Sequence, residues 1–165
     1  MFYTFYSKNS GMEITTAVQG GEGKIFLRFF TFGNGNGNEQ GIFMVDVKEA
    51  FNIMLICNTM VKGNLNQHKL IHKTDKNGQE RIATLIFEKW QRNEKTGFAI
   101  VFKREENGSE KKINVPFNKA DFLYFAELMR HISVALPYSL EKPRRQTQHP
   151  PAPVEKSEDI DYIVE

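Results

Sequence analysis

The sequence predicts an α+β fold built from two pseudo-repeats of the order ββββα. Two segments carry apolar residues at helical spacing. Eight others are rich in aromatic and β-branched residues and are separated by turns that contain Gly and Asn. Each helical segment follows the fourth strand of its half, so two antiparallel sheets with helices packed against them are expected. At 165 residues the chain has room for one such domain, which we place at residues 1–140.

Short alternating runs bounded by turn residues predict the eight strands. The Lys76-Asn77-Gly78 turn is typical of tight antiparallel hairpins, because Asn and Gly tolerate a left-handed backbone. The strands are predicted at Phe2–Tyr6, Met12–Val18, Lys24–Phe32 and Gly41–Val45, and then at Leu70–Lys73, Arg81–Trp90, Gly97–Arg104 and Lys111–Val115.

The two helices are predicted from a 3.6-residue apolar period and from their end signals. The first runs from Asp46 to Val61, with Gly63 as its stop. The second runs from Asn118 to Ala135, with Asn118 as the capping residue and Pro137 as the terminator.

Composition changes after Leu140 into a proline-rich linker and an acidic tail. Four of the six prolines lie in residues 141–154, and residues 155–165 carry five acids against one lysine. This order of a proline-rich linker followed by acidic and apolar residues resembles the tails of bacterial single-stranded DNA-binding proteins. The resemblance implies that the tail recruits replication or repair proteins. The alternative is a tail that only keeps the protein in solution. The expected partner-binding residues of the tail are Asp159, Ile160, Asp161, Tyr162 and Ile163.

The net charge of +2 is distributed unevenly along the chain. Residues 62–112 carry twelve basic and seven acidic side chains, which favours a polyanionic partner. No apolar run approaches the roughly 20 residues of a membrane helix, so no membrane association is expected. The lone Cys57 and the absence of a signal-peptide pattern predict a cytoplasmic protein, nucleoid-associated or viral.

The strongest candidate binding feature is the strand Lys24–Phe32. Because strand side chains alternate, cations and aromatic rings share one face of it, and such faces stack on exposed bases and engage phosphates. The alternative is that these rings belong to the core. On this strand the candidates are Lys24, Phe26, Arg28, Phe30 and Phe32; in the second half they are Lys89, Trp90, Arg92, Phe102, Lys103 and Arg104.

Other chemistry has weaker support. The glycine-rich run Gly33–Asn38 lacks the lysine and helix of a phosphate-binding loop. His68 and His72 are four residues apart in a loop and strand, where that spacing gives no shared helical face for zinc. No nucleophile stands beside a base and an orienting group, so no cofactor, metal or enzymatic activity is predicted.

Ile86–Trp90, Gly97–Glu105 and Lys112–Val115 are the segments of the second half that carry a resemblance to a known family. Their pattern resembles that of the transcriptional positive cofactor 4. The order ββββα, repeated twice, resembles the Whirly and Pur-alpha class of single-stranded nucleic-acid-binding folds.

The leading interpretation is a non-enzymatic, largely sequence-independent single-stranded DNA-binding protein, with RNA as a further ligand. It would act in replication, recombination, repair or transcription and form a homo-oligomer. The alternatives are an assembly module that acts through its tail and, third, a nucleic-acid-processing enzyme. Exposure of Phe26, Phe30, Trp90 and Phe102 favours the first interpretation, and burial favours the second.

Overall fold

The computed structural model describes residues 2–19, 21–33 and 39–139. Eight strands and two helices follow the predicted order. The first half comprises β1 (Phe2–Tyr6), β2 (Ser10–Gln19), β3 (Glu22–Thr31), β4 (Gln40–Asp46) and α1 (Val47–Val61). The second half comprises β5 (Gln67–Lys76), β6 (Gln79–Arg92), β7 (Lys95–Glu106), β8 (Ser109–Phe117) and α2 (Lys119–Ser139).

The strands form two antiparallel sheets in which each strand pairs with its neighbour in sequence. Sheet I contains β1 to β4, and sheet II contains β5 to β8. The sheet II hairpins close through two-residue turns; in Asn77-Gly78 and Asn107-Gly108 all four residues have positive φ. This backbone matches the right-handed twist of the flanking strands, so the turns fix the register. The predicted double ββββα fold is confirmed.

One apolar core fills the space between the inner faces of the sheets and the helices. Phe29 of sheet I stacks on Phe102 of sheet II with ring centroids 5.5 Å apart, and Phe98 stacks on Phe122 of α2 at 4.5 Å. Because both sheets and both helices contribute to one buried cluster, the two halves stabilise each other.

Both helices begin with side-chain caps. Asp46 accepts a hydrogen bond from the Glu49 amide at 2.7 Å while Glu49 accepts one from the Asp46 amide at 3.1 Å. Asn118 accepts from the Asp121 amide at 2.8 Å. These contacts satisfy amide groups that the first turn of a helix leaves without partners.

The second helix is longer than the sequence predicts. It continues through Pro137 to Ser139, so the prediction that Pro137 ends it is wrong. Proline holds φ at about −65°, a value that a helix accepts, but it removes one backbone amide donor; only Tyr138 and Ser139 of α2 follow it, so little of the helix lies beyond the lost bond.

Cys57 lies fully buried on α1, and burial raises the pKa of its thiol above the ordinary range. It therefore packs as a small apolar side chain. No helix within the described ranges is long and apolar enough to cross a membrane.

Candidate nucleic-acid interface

The cation and aromatic residues of β3 lie on the outer face of sheet I. Phe26 and Phe30 are partly exposed and Arg28 is exposed, whereas Ile25, Leu27 and Phe29 on the other face are fully buried. The core alternative for the Phe26 face is therefore wrong.

Three aromatic residues cluster at one end of this face. The Phe30 ring lies 6.1 Å from those of Tyr6 and Phe32 between centroids. Phe30 also lies over Gly11, where an added Cβ would be 2.5 Å from its Cζ atom. The missing side chain at Gly11 lets the ring lie close to the sheet. We call Tyr6, Phe30 and Phe32 the aromatic cluster; Phe32 follows the end of β3 rather than belonging to it.

The two predicted cations of β3 have acidic partners. Lys24 Nζ lies 2.7 Å from Glu22 Oε2, and this hydrogen bond raises the pKa of Lys24. Arg28 Nη1 lies 3.6 Å from Glu13 Oε1 on β2. A phosphate would have to displace these carboxylates to bind either cation. The face therefore offers a ligand exposed aromatic rings but little positive charge that is not already neutralised.

Exposed apolar residues that the sequence pattern does not reveal also lie on this face. Ile42 and Met44 of β4 are 50% and 42% exposed, and Tyr6 of β1 is 72% exposed. The run Gly41–Val45 is apolar at nearly every position, so only the pairing of β4 with β3 shows which residues face outward.

The outer face of sheet II carries Trp90, Arg92 and Lys103. Trp90 lies over Gly97, where an added Cβ would be 2.1 Å from its Cζ2 atom, and the indole Nε1 donates to the Phe98 carbonyl at 3.2 Å. Lys103 contacts Glu105 at 2.5 Å and Glu110 at 3.0 Å, and these bonds raise its pKa.

The other three predicted binding residues of sheet II do not lie on this outer face. Phe102 is fully buried and stacks on Phe29, so its predicted contact with bases is wrong. Lys89 and Arg104 alternate with the outer-face residues and pair across the sheet with Phe98 and Ala83. They therefore lie on the same side of sheet II as the core.

Sheet II meets sheet I beside the aromatic cluster. Ser10 Oγ donates to the Asn114 carbonyl of β8 at 2.7 Å, and Lys111 Nζ donates to the Gln40 carbonyl of β4 at 3.2 Å. Ser10 precedes Gly11, over which Phe30 lies. The edge strand β8 therefore runs past the end of sheet I that carries the aromatic cluster.

His72, one of the two histidines considered as zinc ligands, packs between the two halves of the fold. His72 stacks on Phe43 with centroids 4.4 Å apart, and its Nε2 lies 2.6 Å from Glu49 Oε1. This contact joins β5 to the first turn of α1. Among the described residues no group of three or more His, Cys, Asp or Glu side chains is arranged to hold a metal ion. The run at residues 34–38 and the predicted tail lie outside the described residues.

Solved structures share this fold at low sequence identity, whereas the sequence matches no protein-family model and no curated protein. WHY3 from Arabidopsis thaliana has a TM-score of 0.61 at 14% identity, over 85% of this chain and 94% of that one. The plant transcriptional regulator PBF-2 has a TM-score of 0.59 at 13% identity, over 87% and 88%. The MRP1/MRP2 proteins of Trypanosoma brucei give 0.50 at 10% identity, over 85% and 86%. The chain therefore resembles the Whirly proteins in fold, as its order of strands and helices predicts.

Proposed function

We propose that the protein binds single-stranded nucleic acid across the outer faces of its two sheets, without catalysis and largely without sequence preference. The observation that carries this proposal is the outward placement of the β3 aromatic residues, together with the Trp90 side chain on sheet II. Duplexes hide the faces of their bases, so a surface that binds by stacking selects single strands.

Stacking supplies most of the affinity in this proposal. Each base stacked on an aromatic side chain contributes about 1–3 kcal/mol. The ion pairs at Lys24, Arg28 and Lys103 reduce what phosphate contacts add, because each cation exchanges one anionic partner for another. The bound strand would cross the aromatic cluster and continue past β8.

A labelled oligo-dT titrated with the full chain at two salt concentrations tests the proposal. We expect tighter binding of oligo-dT than of a duplex of equal length, with affinity falling as salt rises. Tyr6→Ala should weaken binding several-fold through the loss of one stacking ring. Its matched control is Tyr138→Ala, because both tyrosines are 72% exposed but Tyr138 lies on α2. Equal binding of duplex and single strand, or equal loss in both variants, would contradict the proposal.

A second candidate function is an assembly interface on sheet I. Exposed Ile42 and Met44 on the edge strand β4 favour it, since Met44 pairs with the partly exposed Phe26 of β3 and monomeric surfaces rarely group large apolar side chains. Light scattering of the protein and of Ile42→Lys tests it: a smaller particle for the variant, with oligo-dT affinity retained, would assign the face to assembly.

The wider role follows from the binding proposal. We propose action in replication, recombination, repair or transcription, on single-stranded DNA or RNA, by a homo-oligomer in the cytoplasm. Contacts with replication or repair proteins would use the acidic tail.

A further inference from the structure

The outer face of sheet II contains a depression beside Trp90. It has a volume of about 260 Å³. Its floor is Ala99, which belongs with Ile86 and Val101 to a small buried apolar cluster separate from the main core. The residues that line it are Glu88, Trp90, Arg92, Ala99, Asn114 and Pro116.

Trp90 is held in place as one wall of this depression. Gly97 leaves room for the ring against the sheet, and the bond from Nε1 to the Phe98 carbonyl sets its orientation. The residue is still 36% exposed. A fixed, partly open indole presents a stacking surface that requires little ordering when a base binds.

Polar groups stand at the rim above the apolar floor. The Glu88 carboxylate accepts a bond from Gln67 Nε2 at 3.2 Å, which orients it. A carboxylate has about four lone-pair sites, so one such bond leaves acceptor capacity for a ligand. Asn114 and Arg92 add amide and guanidinium donors. An apolar pocket with a few polar groups at its edge is typical of sites for small planar ligands.

We propose that this depression binds one nucleobase of a single strand and prefers guanine; this rests on the proposed function and adds a local preference to it. Guanine carries adjacent N–H donors at N1 and N2, which match the two oxygens of Glu88. Its O6 and N7 acceptors suit Asn114 or Arg92.

The other bases match less well. Cytosine and adenine each offer one exocyclic amino group to the carboxylate. Thymine and uracil place carbonyl oxygens on both sides of their single N–H, so they bring two acceptors towards Glu88. The expected order is guanine first, cytosine and adenine next, and thymine or uracil last.

Oligo-dT carrying one central substituted base tests the preference. The substitutions are dG, deoxyinosine, dA and dC, and the readouts are affinity and quenching of Trp90, the only Trp in the chain. We expect dG to bind about tenfold more tightly than dT, within the range of one bidentate contact. Deoxyinosine, which lacks the N2 amino group, should lose most of that gain.

Glu88→Gln should abolish the guanine preference and raise affinity for oligo-dT, because the glutamine amide can donate to a thymine carbonyl where the carboxylate cannot. Glu80→Gln is the matched control, because Glu80 lies on the same face of β6 at its other end. Thermal unfolding of each variant checks that the fold is retained.

Two results would overturn the base preference alone: equal affinity for all substituted oligomers that do bind, or an undiminished guanine preference in Glu88→Gln. If the protein binds none of the single-stranded oligonucleotides, the proposed function itself is overturned.

Discussion

At the scale of single residues, an aromatic ring lies over a glycine in three places among the described residues, and the three rings do not all face the same way. Phe30 over Gly11 and Trp90 over Gly97 lie on outer faces, whereas Phe102 lies over Gly41 inside the core. The missing Cβ lets each ring approach the backbone closely. The face of the strand then decides whether the ring is available to a ligand.

Phe102→Ala should lower the free energy of unfolding by about 3–5 kcal/mol, because it leaves a cavity against Phe29. Phe30→Ala should cost much less, since its ring is partly exposed, and should weaken oligonucleotide binding instead. Urea denaturation and oligo-dT titration of both variants measure the contrast. A stable Phe102→Ala protein with weakened binding would place that ring in the site after all.

Arg28→Ala should weaken oligo-dT binding, lower the slope of log affinity against log salt by about 1, and change stability by less than about 0.5 kcal/mol. The reason is that Arg28 is exposed on the outer face of sheet I. Arg130→Ala is the control, because the Arg130 side chain is about as exposed as that of Arg28 and also pairs with a carboxylate, that of Glu127 on α2. Lys103→Ala should act in the same direction but less strongly, since two carboxylates hold its ammonium group. An unchanged salt slope for Arg28→Ala would remove that residue from the phosphate contacts.

At the scale of elements, periodicity and end signals predict the order and type of every strand and helix. They fail where both faces of a strand are apolar. On β7, Phe98, Ile100 and Phe102 face the main core while Ala99 and Val101 form the smaller cluster on the outer face. Apolar and polar residues do not alternate along this part of β7, so the sequence does not show whether the Phe102 ring faces the core or the solvent.

The Trp90 depression escaped prediction for a related reason. Glu88 and Asn114 are distant in sequence and converge only through the pairing of β6, β7 and β8. Trp90 itself was predictable, because a lone Trp between basic residues at a strand end stands out. Glu88 and Asn114 have no comparable feature in the sequence around them.

The capping box of α1 gives a prediction at this scale. Asp46→Ala should destabilise the protein by about 0.5–2 kcal/mol, because the Glu49 amide loses its acceptor. Asp46→Asn should retain most of the stability, since asparagine caps helices about equally well. Thermal and urea unfolding of the two variants compare them. Equal losses would show that the charge of Asp46, rather than its cap, is what stabilises the helix start.

At the scale of the whole molecule, charge separates the chain into two parts. Residues 1–154 carry 21 basic and 15 acidic side chains, whereas residues 155–165 carry a net charge of −4. The tail lies outside the described residues, but its covalent attachment through residues 141–154 keeps its local concentration high. An acidic segment held near a binding surface competes with nucleic acid for the same cations.

Removing residues 155–165 should therefore raise affinity for oligo-dT at low salt, and the gain should fade as ionic strength increases and screening shortens the reach of the tail's charge. The matched control keeps the length and apolar residues but changes Glu158, Asp159 and Asp161 to their amides; it should give most of the same gain if charge is the cause. The truncation should also abolish any partner contact made through Ile160, Tyr162 and Ile163, whereas the amide variant should retain the apolar part of that contact. Unchanged affinity at low salt would refute competition by the tail. If the truncation instead lowers affinity, the tail contributes to nucleic-acid binding or to assembly and belongs to that interface.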